Sequence, residues 1–205
     1  MSTAEPRHRP RRRVPELLVE SLLIVLSVAL GFAVTQWQDR RRDAALAAEA
    51  TANFRREITQ NLRALQRAQP KHVALVKRLE QEATTPHPGE TAFDALVRVR
   101  HEIDSTAVPV LGDAAWETAT STGALRLLGY ERAARLSETY LIQRGQLVQT
   151  LLRIEERASA PESFTPAARE PMLRVYALLF AEVEGGERYL IGVYGETLKQ
   201  LGTPR

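Results

Sequence analysis

Four histidines, His8, His72, His87 and His101, are the only imidazoles in a chain of 205 residues that has no cysteine. The lack of thiols excludes disulfides, iron–sulfur clusters, thiolate zinc sites and a cysteine nucleophile together. A metal would have to be held by imidazoles and carboxylates at short helical spacing, and no two histidines stand at i,i+4. The nearest approach is His101-Glu102-x-Asp104. Two of those side chains diverge on a helix, so solvated groups at a helix end are the better reading. The hydroxyl run Thr118 to Gly123 (TATSTG) lacks the further glycines and the lysine of a phosphate loop. It reads as a helix end, with Gly123 as the cap. No serine lies in a nucleophile-elbow context. No catalytic, metal or cofactor-binding residue is assigned, and the chain is expected not to be an enzyme.

With so little chemistry to position, the elements themselves carry the reading. The net charge of +3 and pI near 9.5 divide unevenly. Before Leu17, five arginines (Arg7, Arg9, Arg11, Arg12 and Arg13) face Glu5 and Glu16. From Trp37 onward, 23 basic side chains face 22 acidic ones. The basicity belongs to a short tail, and a neutral body is not expected to bind nucleic acid.

After the tail comes a membrane-span pattern. Residues 17–37 are broken by one charge, Glu20, and include the uncharged run SLLIVLSVALGFAVT over residues 21–35. Twenty-one residues at about 1.5 Å each cross a hydrocarbon core of about 30 Å. Pro15 suits a first helical turn, and Trp37 suits an interfacial anchor. Gly31-Phe32-Ala33 has the small-residue spacing of a signal-peptide cleavage site, the rival reading. Glu20 interrupts the apolar run and helical pattern continues through Trp37, which favours an uncleaved anchor. The five arginines before the span outnumber Arg40, Arg41 and Arg42 just after it, so the expected orientation has a cytoplasmic N-terminus and an exported body. Glu20, Ser27, Gly31 and Thr35 share one face, and Ser27-x-x-x-Gly31 is a small-xxx-small pair. That face is the candidate for self-association or for docking a partner membrane protein.

The body reads as helices between prolines. Ala47, Thr51, Phe54, Ile58, Leu62 and Leu65 recur every three or four residues from about Asp39 to Gln69, where Pro70 is expected to break or kink the helix. A second stretch covers residues 71–83, and TTPHPG over residues 84–89 is a loop. A helix over residues 91–103 has Phe93, Leu96, Val97 and Ile103 as core positions. Asp113 is the expected N-cap of a short helix containing Trp116. Residues 131–159 form a long helix with a stripe of Leu136, Tyr140, Leu147, Leu151 and Ile154. Residues 172–183 (MLRVYALLFAEV) form a central helix, Gly185-Gly186 a turn, and residues 187–201 the last helix. Gly192 and Gly195 could admit close helix packing. The expected core includes Phe54, Ile58, Leu62, Leu136, Tyr140, Leu147, Leu151, Leu178 and Leu179, with Trp116 packed on the bundle. No strand pattern appears. The fold expected is all-α: a basic tail over 1–16, a transmembrane helix over 17–37, and a mostly antiparallel helical bundle over 38–205.

The order of several residues resembles a widespread group of uncharacterised bacterial single-pass membrane proteins. In that group a glutamate opens the apolar run and a tryptophan closes it, as Glu20 and Trp37 do. Glu57, Asn61 and Leu62 resemble its first body helix. Trp116 with Thr122-Gly123-x-Leu125 resembles its "W…(S/T)G-x-L" segment, and Tyr140 its later tyrosine. The resemblance strengthens the fold and topology reading, with the expected location in the bacterial inner membrane and the body in the periplasm, and it supplies no activity to carry over. The lack of a site signature and the polar face of the span make a non-enzymatic interaction or scaffolding module the first expectation. An extracytoplasmic ligand-sensing bundle that signals through a partner is the second, and an enzyme the third.

Overall fold

The computed structural model describes residues 14–104 and 109–202. Residues 1–13 of the basic tail, with His8, lie outside the described residues, as do residues 105–108 of the connection before Gly112. The fold is all-α, and the described residues contain no strand. The helices are α1 (Val14–Thr84), α2 (Ala92–Glu102), α3 (Ala114–Ser121), α4 (Tyr130–Ile142), α5 (Gln149–Ala158) and α6 (Arg169–Gly202). A π-helical segment, Gln143–Val148, joins α4 to α5 without a break. Short 3-10 turns occupy Ala124–Leu127, Pro161–Phe164 and Pro166–Ala168.

Two compact units divide the chain, Met1–Ala45 and Leu46–Arg205. In the first, every residue from 17 to 45 is exposed. The second unit holds the core, and its side-chain contacts give the helix directions. Along α1, residues 61, 72 and 82 meet residues 194 (through Gln143), 187 and 169 of α6, so the two helices are antiparallel. Thr139 meets Thr197 and Thr150 meets Glu182, so α4–α5 also runs antiparallel to α6. α2 runs against α1, with Glu102 at Arg78 and Arg98 at Glu82.

Local chemistry explains most of the boundaries. Thr91 caps α2 with a capping box: its hydroxyl accepts from the Asp94 amide at 3.1 Å, and its own amide donates to Asp94 Oδ2 at 3.3 Å. Gly123, at φ +72°, takes the left-handed conformation that ends α3, as its residue type suggests.

Two expected breaks are absent. α1 continues through Pro70, because the stripe of Phe54, Ile58 and Leu65 resumes beyond it in His72, Leu75, Leu79 and Ala83. A proline inside a helix costs about 3 kcal/mol. Two fully buried leucines return roughly 1.5–3 kcal/mol each. Likewise α6 passes through Gly185-Gly186 instead of turning. Two helical glycines cost about 1 kcal/mol each, less than the burial of Leu190, Tyr194 and Leu201 beyond them.

Most of the expected core is inside. Phe54, Ile58, Leu136, Tyr140 and Leu147 are buried, while Leu62, Leu151 and Leu179 are half-buried. Leu178 is the failure, at 70% exposure. In an unbroken α6 the inward face falls on Leu173, Tyr176, Ala177, Phe180 and Val183, which puts Leu178 outside. Val97 is exposed for the same reason, since α2 packs through Ala92, Ala95, Leu96 and Val99. Gly192 and Gly195 serve no close approach, because a Cβ added at either would meet nothing within 4 Å.

One end of this unit is fastened by charge. Glu82, 1% exposed, accepts from Arg98 at 2.7 Å and from Arg169 at 3.1 Å. Glu90 accepts from the same two arginines at 3.0 and 2.8 Å, so the cluster ties the end of α1, the loop, α2 and the start of α6. Burial alone would raise the pKa of both glutamates. The hydrogen bonds and charges of the arginines outweigh it and hold both below the ordinary carboxylate range. Because the folded values are depressed, the stabilisation is complete above the ordinary glutamate value of 4.5 and fades as pH falls below it. Glu82→Gln should cost roughly 1.5–3 kcal/mol, since it removes the charge-assisted bonds of Glu82 to Arg98 and Arg169 while Glu90 still pairs with both. Thermal unfolding followed from neutral pH to pH 3 should show a lower Tm and a flatter acid limb than the parent protein.

Candidate functional site

A set of buried and half-buried polar groups lies where α1, α4 and α6 enclose the connection before α3. Glu57 and Asn61 stand one turn apart on α1 and therefore point the same way. Asn61 reads both backbone groups of Gly112: its Nδ2 donates to the carbonyl at 2.8 Å, and its Oδ1 accepts from the amide at 2.9 Å. Gln143, at the start of the π segment, donates to the same carbonyl at 3.1 Å. The Tyr194 hydroxyl, from α6, donates to Gln143 Oε1 at 2.6 Å.

Glu57 uses both carboxylate oxygens. Oε1 accepts from the Tyr140 hydroxyl at 2.6 Å, and Oε2 accepts from the Ala115 amide in the first turn of α3 at 3.0 Å. Glu57 thus does the capping expected of Asp113, whose carboxylate instead pairs with Arg144 at 3.0 Å. Trp116 stacks on Tyr140 with ring centroids 5.5 Å apart, and Phe54 lies 5.9 Å from the same ring. A Cβ at Gly112 would come within 3.3 Å of Glu57 Oε2, so the glycine is there for space. Burial, then the hydrogen bond and charge of Glu57, push the Tyr140 hydroxyl pKa up. Burial does the same for Tyr194. Both phenols are neutral donors.

This arrangement holds backbone in place. Each carboxylate oxygen of Glu57 and each amide end of Asn61 and Gln143 has a protein partner. Glu57, Asn61, Trp116 and Tyr140, scattered over 84 positions of the sequence, converge here. Leu125 packs at the edge of the core, and Thr122 is exposed. Gly112, Gln143 and Tyr194 had no sequence signal of their own. Gln143 lies one turn beyond Tyr140, a spacing that a search for polar residues along the buried stripe would detect.

The other candidate positions are separate from this cluster. Glu20, Ser27, Gly31 and Thr35 are all exposed in the first unit. Ser27 donates to the Leu23 carbonyl at 2.8 Å and Thr35 to that of Gly31 at 3.0 Å, while a Cβ at Gly31 would meet nothing. His101, Glu102 and Asp104 do not converge: Asp104 pairs with Lys71 and Glu102 with Arg98 and Arg78. Among the described residues, Glu82, His87 and Glu90 bring ligand atoms within 4.8 Å of one another. Arg98 and Arg169 already supply there the positive charge that a metal ion would bring. His72 is buried against Glu187.

No protein-family model, curated protein or solved structure matches the chain.

If the cluster is a backbone clamp, its cost on removal is structural. Asn61→Ala should destabilise the protein by about 2–3 kcal/mol, since it strands the Gly112 amide and loosens Gln143. A double-mutant cycle of Glu57→Gln and Tyr140→Phe should give a coupling of about 1–3 kcal/mol. Additive losses in chemical denaturation would sink the coupled network.

Proposed function

We propose that this chain is a single-pass membrane protein of the bacterial envelope whose helical body is a non-enzymatic interaction or scaffolding module. The observation that carries the reading is the first unit. Its helix is long and apolar enough to cross a membrane, and no residue of its apolar stretch is buried by protein. Apolar side chains from Leu17 to Val34 exposed along the whole surface of a helix need a covering, and a bilayer supplies it.

The module reading draws on the second unit, where the buried polar groups around Gly112 are spent on holding the fold. The Lys and Arg counts around the span support a cytoplasmic N-terminus and a periplasmic body. The exposed face with Ser27 and Gly31 suits association with a second copy or with another membrane helix.

Because the chain has no cysteine, one introduced at exposed Tyr130 is a unique reporter. The protein should stay in the membrane fraction after alkaline carbonate, and Tyr130→Cys should react with an impermeant maleimide in intact cells. Extraction by carbonate would overturn the anchor. Labelling only after lysis would reverse the orientation. In a transmembrane-helix association assay, Gly31→Ile should weaken the signal, and an unchanged signal would remove that face from the reading.

A further inference from the structure

Within the second unit a cavity of about 480 Å³ opens between α1, α2, α5 and α6. Its wall is apolar, with Phe93, Leu96, Leu151, Ile154 and Phe180, and its mouth carries exposed Val97, Val148 and Leu152. The volume is that of sites for small organic molecules, about 300–1,000 Å³, which commonly lie between bundle helices. Two cationic or protonatable groups line it, His72 and Arg100, together with Glu155, which is exposed.

His72 is the informative residue. Its ring is 3% exposed, and Nδ1 lies 2.9 Å from Glu187 Oε1. Glu187 is fully buried, and its Oε2 has no hydrogen-bond partner, the one sealed and unpartnered side-chain atom among the described residues. A carboxylate placed there is unfavourable for packing, and an apolar residue would avoid the loss. What it does is orient the imidazole. His72 Nε2 makes no hydrogen bond within the protein and is not among the sealed atoms, while the ring lines the cavity. This carboxylate–imidazole pair with a free nitrogen at the end of an apolar pocket has no use in the clamp around Gly112.

We infer that the cavity binds a small apolar carboxylic acid, its chain against Phe93, Leu151 and Phe180 and its carboxyl group on His72 Nε2. The chemistry favours an acid over other amphiphiles. With Glu187 accepting from Nδ1, a neutral ring presents Nε2 as an acceptor, and the acid's O–H proton can pass to it. The product is an imidazolium between two carboxylates, with the proton accounted for at Nε2. If the ring is already protonated, Nε2–H donates to the ligand carboxylate directly. An alcohol can hydrogen-bond to Nε2 in either case but brings no charge, so it lacks the charge-assisted bond of the acid, and an ammonium group finds no acceptor on a protonated ring. The inference does not depend on the anchor or its orientation, and a binding pocket is compatible with a scaffolding body.

The test uses the full chain in lipid nanodiscs with a diazirine-bearing octanoic acid as probe, adducts being mapped by peptide mass spectrometry. Adducts are expected on the peptides holding Phe93 and Leu151–Leu152. Octanoate should compete about tenfold or more better than 1-octanol, the discrimination typical of a charge-assisted hydrogen bond, and octylamine should not compete. His72→Gln should erase the preference for acid over alcohol. Leu152→Trp, at the exposed mouth, should abolish the adducts without touching the core, and so tests the site even if His72→Gln fails to fold. Equal competition by octanol would reduce the site to an unselective apolar groove and overturn the inference. Adducts confined to residues 17–37, or unchanged in Leu152→Trp, would overturn it as well.

Discussion

The second unit depends on one amide reading another. Asn61 bonds to both backbone groups of Gly112 and so gives a stretch without secondary structure the pairing that a strand neighbour would provide. The connection before α3 has to pass beside the core, where an unpaired peptide group is costly. With that peptide fixed, Gln143 and Tyr194 bring α4 and α6 to the same point, and Glu57 fixes the start of α3. Three long helices therefore share a common reference in a peptide bond that belongs to none of them. Gly112 can occupy this place because a side chain would crowd Glu57, whose carboxylate is already held from two sides.

The opposite end is organised by different physics. Around Glu82 and Glu90 the partners are full charges, and two arginines bridge four segments of the chain. Directional hydrogen bonds from amides and phenols, with one carboxylate among the acceptors, fix geometry at one end, and ion pairs, which tolerate looser geometry but require balance, close the other. Between the two ends lies the His72–Glu187 pair, where balance is incomplete and one oxygen is unmatched. A core that satisfies its polar groups elsewhere makes this exception the more informative.

The helical fold was legible in the sequence because burial repeats every three or four residues. Phe54, Ile58, Leu136, Tyr140 and Leu147 are inside as their spacing indicates. The structure departs from the local punctuation where burial outweighs it. Pro70 and Gly185-Gly186 are strong local breakers, yet both helices have apolar residues waiting on the far side. Because α6 runs unbroken through Gly185-Gly186, its phase puts Leu178 on the outer face. The π segment at Gln143–Val148 has no local signature at all. Of the cluster around Gly112, the acid, amide and aromatic residues of α1, α3 and α4 could be named by resemblance. The backbone peptide that unites them could not, because a glycine beside a connection looks like any other glycine.

Glu57's bond to the Ala115 amide makes one helix conditional on another. α3 has eight residues, too few for an isolated helix to persist in water, and its own cap residue is engaged elsewhere. Its first turn is completed by a carboxylate 58 residues earlier in the chain. α3 therefore depends on docking onto α1 for the completion of its first turn. A change at Glu57 would be felt in a helix that lies 58 residues away in sequence.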